Sequence, residues 1–120
     1  MPDATALLDA VDHLADRFRA MPQSRLLGAV PGHRSRAAAG LALARLLADR
    51  AQAWEEGPGA APRELPDAGA FAVGDQIAVA GHDLAAALDG PAARAGNDEA
   101  ATALLEEAIA AIGEVAGLCA

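Results

Sequence analysis

The sequence predicts an all-α protein, and three observations support this fold class. Alanine, which has the highest helix propensity, is the commonest residue of the 120-residue chain. Apolar residues recur at three- and four-residue steps in four segments, which is the period of an amphipathic helix. Few runs of β-branched or aromatic residues are long enough to build strands. We therefore expect a single helical domain over residues 1–120, a four-helix bundle with long first and second connections. Right-angle packing of the helices is the alternative.

The first helix is expected over residues 4–20, with Asp3 as its N-cap and Pro22 as its end signal. Its core-facing residues are Leu7, Leu8, Val11, Leu14, Phe18 and Met21. Beyond it, Ser24 is predicted to cap a single helical turn. The apolar residues of this connection are Leu26, Leu27 and Val30. They either fold over one end of the bundle or form an exposed partner site.

The second helix is expected over residues 34–55 and is apolar around most of its circumference. Its core row is Leu43, Leu47, Ala51 and Trp54. Its one continuous polar row is Arg45, Asp49 and Gln52. A four-helix monomer covers only part of such a surface, so this helix is expected to be deeply buried or to meet another subunit. Gly57 ends the helix, and a proline-rich connector with a semi-extended backbone follows it.

The third helix is expected over residues 67–88 and at the centre of the bundle. It has a bulky row of Val73, Ile77, Ala80, Leu84 and Leu88. Beside this is a small-residue row of Gly74, Ala78, Gly81 and Ala85. The polar row is Asp75, Gln76, His82 and Asp83. A helix with both apolar surfaces can pack against one neighbour through bulky side chains and approach a second one closely through the small row.

The fourth helix is expected over residues 98–117, with Asn97 as its N-cap. Asp98 and Glu99 fall in its first turn, where the helix dipole favours negative charge. Its core row is Ala101, Leu104, Leu105, Ala108, Ile112, Val115 and Cys119. The glutamates Glu106, Glu107 and Glu114 face away from this row.

Composition argues against several classes of function. The net charge of −8 opposes binding to nucleic acid and to anionic membranes. No apolar stretch approaches the roughly 20 residues of a membrane span, and the N-terminus lacks the basic region of a secretion signal. The single cysteine, Cys119, excludes an intrachain disulfide. A cytoplasmic protein is the expected reading.

The sequence predicts neither a metal nor a cofactor. The Glu-x-x-His motif of di-iron bundles does not occur. Asp9, His13 and Asp16 share one face of the first helix, but acids at this spacing are typical of a solvated helix surface.

Catalytic groups are equally sparse. Neither serine, Ser24 nor Ser35, lies in a nucleophile motif, and Cys119 falls in an apolar row that predicts a buried structural thiol.

The histidine of the third helix is the more informative candidate. The residues three and four positions from His82 are apolar, so any functional partner must come from another helix. A polar site formed by Asp75, His82 and Asp83 is a candidate. The alternative is a surface histidine, or one bonded to an interhelical group.

Positive charge gathers at the predicted start of the second helix. The cluster consists of Arg25, His33, Arg34 and Arg36. A helix N-terminus presents unpaired N–H groups and the positive end of the dipole, so arginines there suit a phosphate or carboxylate. The alternative is that these arginines pair with acidic helices of the same or a neighbouring subunit.

Two hypotheses follow. The first is a non-enzymatic interaction protein that self-associates, as a homodimer, or docks on a protein partner. The second is a module that binds a small anion through the arginine cluster. An enzyme ranks third, because no base, nucleophile and oxyanion donor can be assembled from local motifs.

Overall fold

The computed structural model describes residues 4–57, 59, 61, 64–90 and 98–120. The all-α class is confirmed, and the only pairing of β type within these ranges is an isolated bridge between Val30 and His33. The helices are α1 (Thr5–Ala20), α2 (Gln23–Leu26), α3 (Arg36–Glu56), α4 (Val73–Leu88) and α5 (Asp98–Leu118), with a 3-10 turn at Ala70–Ala72. The long helices therefore coincide with the four predicted segments to within a few residues, except at the start of α4.

The beginning of α3 differs from the prediction. Ser35 has an extended backbone, and its hydroxyl oxygen accepts a hydrogen bond from the amide of Ala38 at 3.0 Å. Ser35 is therefore the N-cap, and α3 begins at Arg36 rather than at Arg34.

The predicted cap of the short turn α2 was wrong. Pro22 precedes the turn, and its carbonyl accepts from the amides of Arg25 and Leu26. Ser24 lies inside the turn because the rigid extended backbone of Pro22 already sets its start. The predicted caps Asp3 and Asn97 lie outside the described residues.

Among the described elements, the two most extensive contacts are those of helix α4 with α3 and with α1. Its bulky row is buried throughout, as predicted. Its small-residue row faces α1: a Cβ at Gly74 would lie 3.0 Å from the Ala15 carbonyl oxygen, and a Cβ at Gly81 would overlap the Val11 side chain. We call this contact the α1–α4 seam. The predicted division of the helix between two neighbours is confirmed.

The polar row of α3 holds the connector that follows the helix. Arg45 Nε donates to the Leu65 carbonyl at 2.9 Å, and Gln52 Nε2 donates to the Ala61 carbonyl at 2.6 Å. Gln76 Nε2 of α4 donates to the Pro66 carbonyl at 2.8 Å. The connector thereby covers part of α3, the helix that was expected to be deeply buried or to meet another subunit.

Arginines from other elements bind the C-terminal end of α5. Its last turn contains no basic residue. Arg17 of α1 donates to the Ala116 carbonyl at 3.3 Å, and Arg25 of α2 donates to the Cys119 carbonyl at 2.9 Å. These cations complement the negative end of the α5 dipole. Cys119 is fully buried, as predicted, and burial raises the pKa of its thiol.

Candidate functional site

The predicted arginine cluster divides between two surroundings. Arg25 bonds the end of α5, and Arg36 Nη1 donates to the Arg25 carbonyl at 3.2 Å. His33 is held by backbone hydrogen bonds with Val30. Arg34 is exposed, and within the described part of the chain it has no hydrogen-bond or ion-pair partner. The structure therefore leaves one arginine of the cluster open to a ligand.

The N–H groups at the start of α3 are partly occupied by the protein itself. The amide of Arg36 donates to the Gly28 carbonyl at 3.0 Å. The amide of Ala38 donates to the Ser35 hydroxyl. These are two of the donors that a helix N-terminus would otherwise offer to an anion. Anion binding by this cluster stays a prediction, and Arg34 is the residue on which it now depends most.

The second set of candidate residues does not converge on one point. Asp75 accepts from Arg19 Nε of α1 at 2.9 Å. His82 Nε2 lies 2.7 Å from Asp12 Oδ1, so its partner does come from another helix. Both side chains of this pair are about half exposed. Asp83 lines a separate hollow beside the connector. The first two pairs join α4 to α1 across the outer edge of the α1–α4 seam.

A shallow hollow of about 480 Å³ lies along the first half of α3. Its floor is formed by Ala38, Leu41 and Ala42, and the facing wall includes Leu27 and Ala70. We call this hollow the α3 groove. Ala42 is exposed and Ala38 is half-buried, so the floor belongs to the apolar surface of α3 that the described residues leave uncovered.

Two large apolar side chains are exposed in this part of the molecule. Leu27 on the groove wall is 55% exposed, and Phe71, the neighbour of the wall residue Ala70, is 70% exposed. Phe71 does not itself line the α3 groove, but the 3-10 turn that carries it contacts α2, which immediately precedes Leu27. A third, Val79, is 63% exposed on the polar face of α4, in line with Asp75 and Asp83.

The three apolar residues of the α2 segment differ in burial. Leu26 and Val30 are buried, as the first alternative predicted, whereas Leu27 is exposed. A partner site at Leu27 stays a prediction. Phe71 was not predicted as a site residue. Its position outside the bulky row of the third helix could have indicated its exposure, because it left a large aromatic residue without a predicted core neighbour.

Charge differs between the two ends of the α3 groove. Arg34 lies at one end, and Arg45 and Asp67 lie at the other. Asp67 accepts a hydrogen bond from the Gly69 amide at 2.9 Å. Residues 17–48, which supply α2 and most of the groove, contain no carboxylate. The end at Arg34 is therefore basic in a chain whose net charge is −8.

Among the residues that the structure describes, no group of three or more His, Cys, Asp or Glu side chains is arranged to hold a metal ion. None of the described helices is long and apolar enough to cross a membrane. The chain matches no protein-family model, no curated protein and no solved structure. Any functional conclusion must therefore come from the geometry of the chain itself.

Proposed function

We propose that this chain is a non-enzymatic interaction protein, a four-helix bundle of α1, α3, α4 and α5 that docks on a protein partner or on a second copy through the α3 groove. One observation supports this above all. Leu27 stands exposed on the wall of a groove whose floor is alanine and leucine, and Phe71 is exposed on the turn that supplies Ala70 to the same groove.

The energetics favour a partner at this place. Covering one large apolar side chain contributes about 1.5–3 kcal/mol relative to leaving it in water. Single exposed apolar residues are ordinary, but Leu27 is grouped with the apolar floor of the α3 groove, and Phe71 is exposed on the adjoining turn. Grouped apolar surface is typical of interaction sites. Val79 is an isolated residue among acids and serves as the internal comparison.

Anion binding is the second candidate function, because Arg34 is exposed and without a partner in the described ranges. A guanidinium of this kind forms paired hydrogen bonds with a carboxylate or phosphate. In anion binding the ligand of Arg34 would be a small free molecule, whereas in docking it would be a carboxylate on the surface of the partner protein.

The experiment compares the wild type with Leu27→Ser, Phe71→Ser and the matched control Val79→Ser. Sedimentation measures self-association. Selection from a randomised peptide library on the immobilised full chain, followed by affinity measurement, tests docking of a foreign segment. We expect one of these interactions to weaken by about tenfold or more in the two groove variants, because truncation of a central anchor costs at least about 1.4 kcal/mol. Val79→Ser should match the wild type. If neither interaction depends on Leu27 and Phe71, the α3 groove is not a docking surface.

A further inference from the structure

We propose that the occupant of the α3 groove is an acidic amphipathic helix of another protein, held by apolar contacts at Leu27 and Phe71 and by a carboxylate at Arg34. This inference rests on the proposed function and adds the chemistry of the partner.

The shape of the α3 groove suits a short helix. The α3 residues that line the groove run from Ala37 to Arg45, which at 1.5 Å per residue is about 12 Å, and Arg34 and Ser35 extend the groove beyond the start of the helix. Its floor carries small side chains at Ala38 and Ala42. Helix axes approach to about 8 Å where such residues meet, at the close end of the usual range. A helix of three to four turns therefore fits the length and depth available.

Two exposed apolar side chains could anchor such a helix. Leu27 lies on the wall, and Phe71 projects from the adjoining turn. A helix that lays apolar residues at three- and four-residue steps into the groove would cover both side chains. The same register leaves its flanking positions over the rim, where Arg34 lies.

Charge selects an acidic partner over a basic one and over a second copy. Arg34 has no ion-pair partner among the described residues, and residues 17–48 supply no carboxylate. A carboxylate on the docked helix would neutralise this end. In a two-fold dimer the same patch occurs on both sides of the interface. The described lining of each groove holds two arginines, Arg34 and Arg45, and one carboxylate, Asp67, so pairing two grooves would bring excess positive charge from both copies together.

The test uses the full chain and the peptides selected from the library. Residues at the flanking positions of the selected helices should be enriched in Asp and Glu. Arg34→Gln should weaken the binding of these peptides by about fivefold and Arg34→Glu by about tenfold or more, because neutralisation removes the attraction and reversal replaces it with repulsion. Added salt should reduce wild-type affinity and have little effect on Arg34→Gln.

The matched control is Arg50→Gln, since Arg50 pairs with Asp49 and Glu107 at the far end of α3. It should bind like the wild type. Exchanging the selected acidic residue for lysine should restore binding to Arg34→Glu, a rescue that a purely structural role of Arg34 would not produce.

Three results would overturn the inference. Peptides that depend on Leu27 and Phe71 but show no acidic enrichment and no response to Arg34→Glu would leave the docking surface intact and remove the acidic partner. A wild-type dimer that dissociates in Leu27→Ser would make a second copy the occupant. Failure to recover any peptide that depends on Leu27 and Phe71, without self-association, would remove the proposed function as well.

Discussion

The α1–α4 seam and the α3 groove are both lined by small residues, yet one is closed and the other is open. In the seam, Val11 of α1 fills the space that Gly81 leaves, and α1 lies against Gly74. In the groove, Ala38 and Ala42 face a hollow of about 480 Å³. A small-residue row thus permits close approach of a second backbone, but it is occupied only where the chain also supplies the opposing side chain.

The two regions also differ in what surrounds the small residues. The seam is bordered by ion pairs between α1 and α4, namely Arg19 with Asp75 and His82 with Asp12. The groove is bordered by Arg34 and by the exposed side chain of Leu27, with Phe71 exposed on the adjoining turn. The seam has its polar and apolar partners within the chain, whereas Arg34 has no such partner among the described residues and Leu27 stays half exposed. This contrast is the physical reason for placing a partner at the groove.

The largest expected effect tests the closed region. Gly81→Leu should lower the free energy of unfolding by about 1–3 kcal/mol, since the new side chain would overlap Val11 and force the helices apart. Ala42→Leu is the matched control in the open region. Ala42 is exposed, and leucine and alanine differ little in helix propensity, so its unfolding free energy should change by less than about 0.5 kcal/mol. Urea denaturation measures both. Equal losses in the two variants would mean that the α3 groove is as filled as the seam.

The next effect concerns the residue that sets the start of α3 beside the groove. Ser35→Ala should cost about 1 kcal/mol of unfolding free energy, because the Ala38 amide loses its acceptor. Ser24→Ala removes a hydroxyl that caps no helix and should leave the denaturation midpoint unchanged within error. A loss at Ser24 comparable to that at Ser35 would restore the capping role that the sequence suggested for it.

Local rules predicted the helices well because their signals are local. Apolar periodicity located α1, α3, α4 and α5, and the glycines of the seam followed from the small-residue row of the third helix. The start of α3 was placed two residues early because Arg34 and Ser35 continue a helix-compatible composition, whereas the Ser35 hydroxyl acts as a cap. Whether a given serine caps a helix depends on backbone geometry that composition does not encode.

The candidate site was harder to predict because it depends on long-range contacts. Arg25 and Arg36 are adjacent to Arg34 in the cluster, yet the end of α5, some 90 residues away, engages Arg25. The periodicity of apolar residues in the sequence does not predict a contact between such distant residues. Phe71 was missed for a related reason, because its exposure depends on how the connector lies along α3.

A smaller effect tests whether Leu27 and Phe71 stabilise the folded monomer. Leu27→Ser and Phe71→Ser should each change the unfolding free energy by less than about 0.5 kcal/mol, because exposed apolar side chains contribute little to the folded monomer. Thermal denaturation followed by circular dichroism checks this. A loss of about 2 kcal/mol or more would show that these residues are packed in the monomer and that their binding phenotypes reflect unfolding.

The smallest expected effect is on free anions. If Arg34 binds phosphate, phosphate should stabilise the wild type more than chloride does at equal ionic strength, and Arg34→Ala should erase the difference. One exposed arginine beside partly occupied helix amides makes a weak site, so the specific gain should stay below about 1 kcal/mol. Phosphate also stabilises folded proteins generally by exclusion from their surface, and Arg50→Ala, which leaves Arg34 in place, measures this background. Equal gains from phosphate in the wild type and in Arg34→Ala would exclude anion binding by Arg34. Docking through Leu27 and Phe71 would be unaffected by that result.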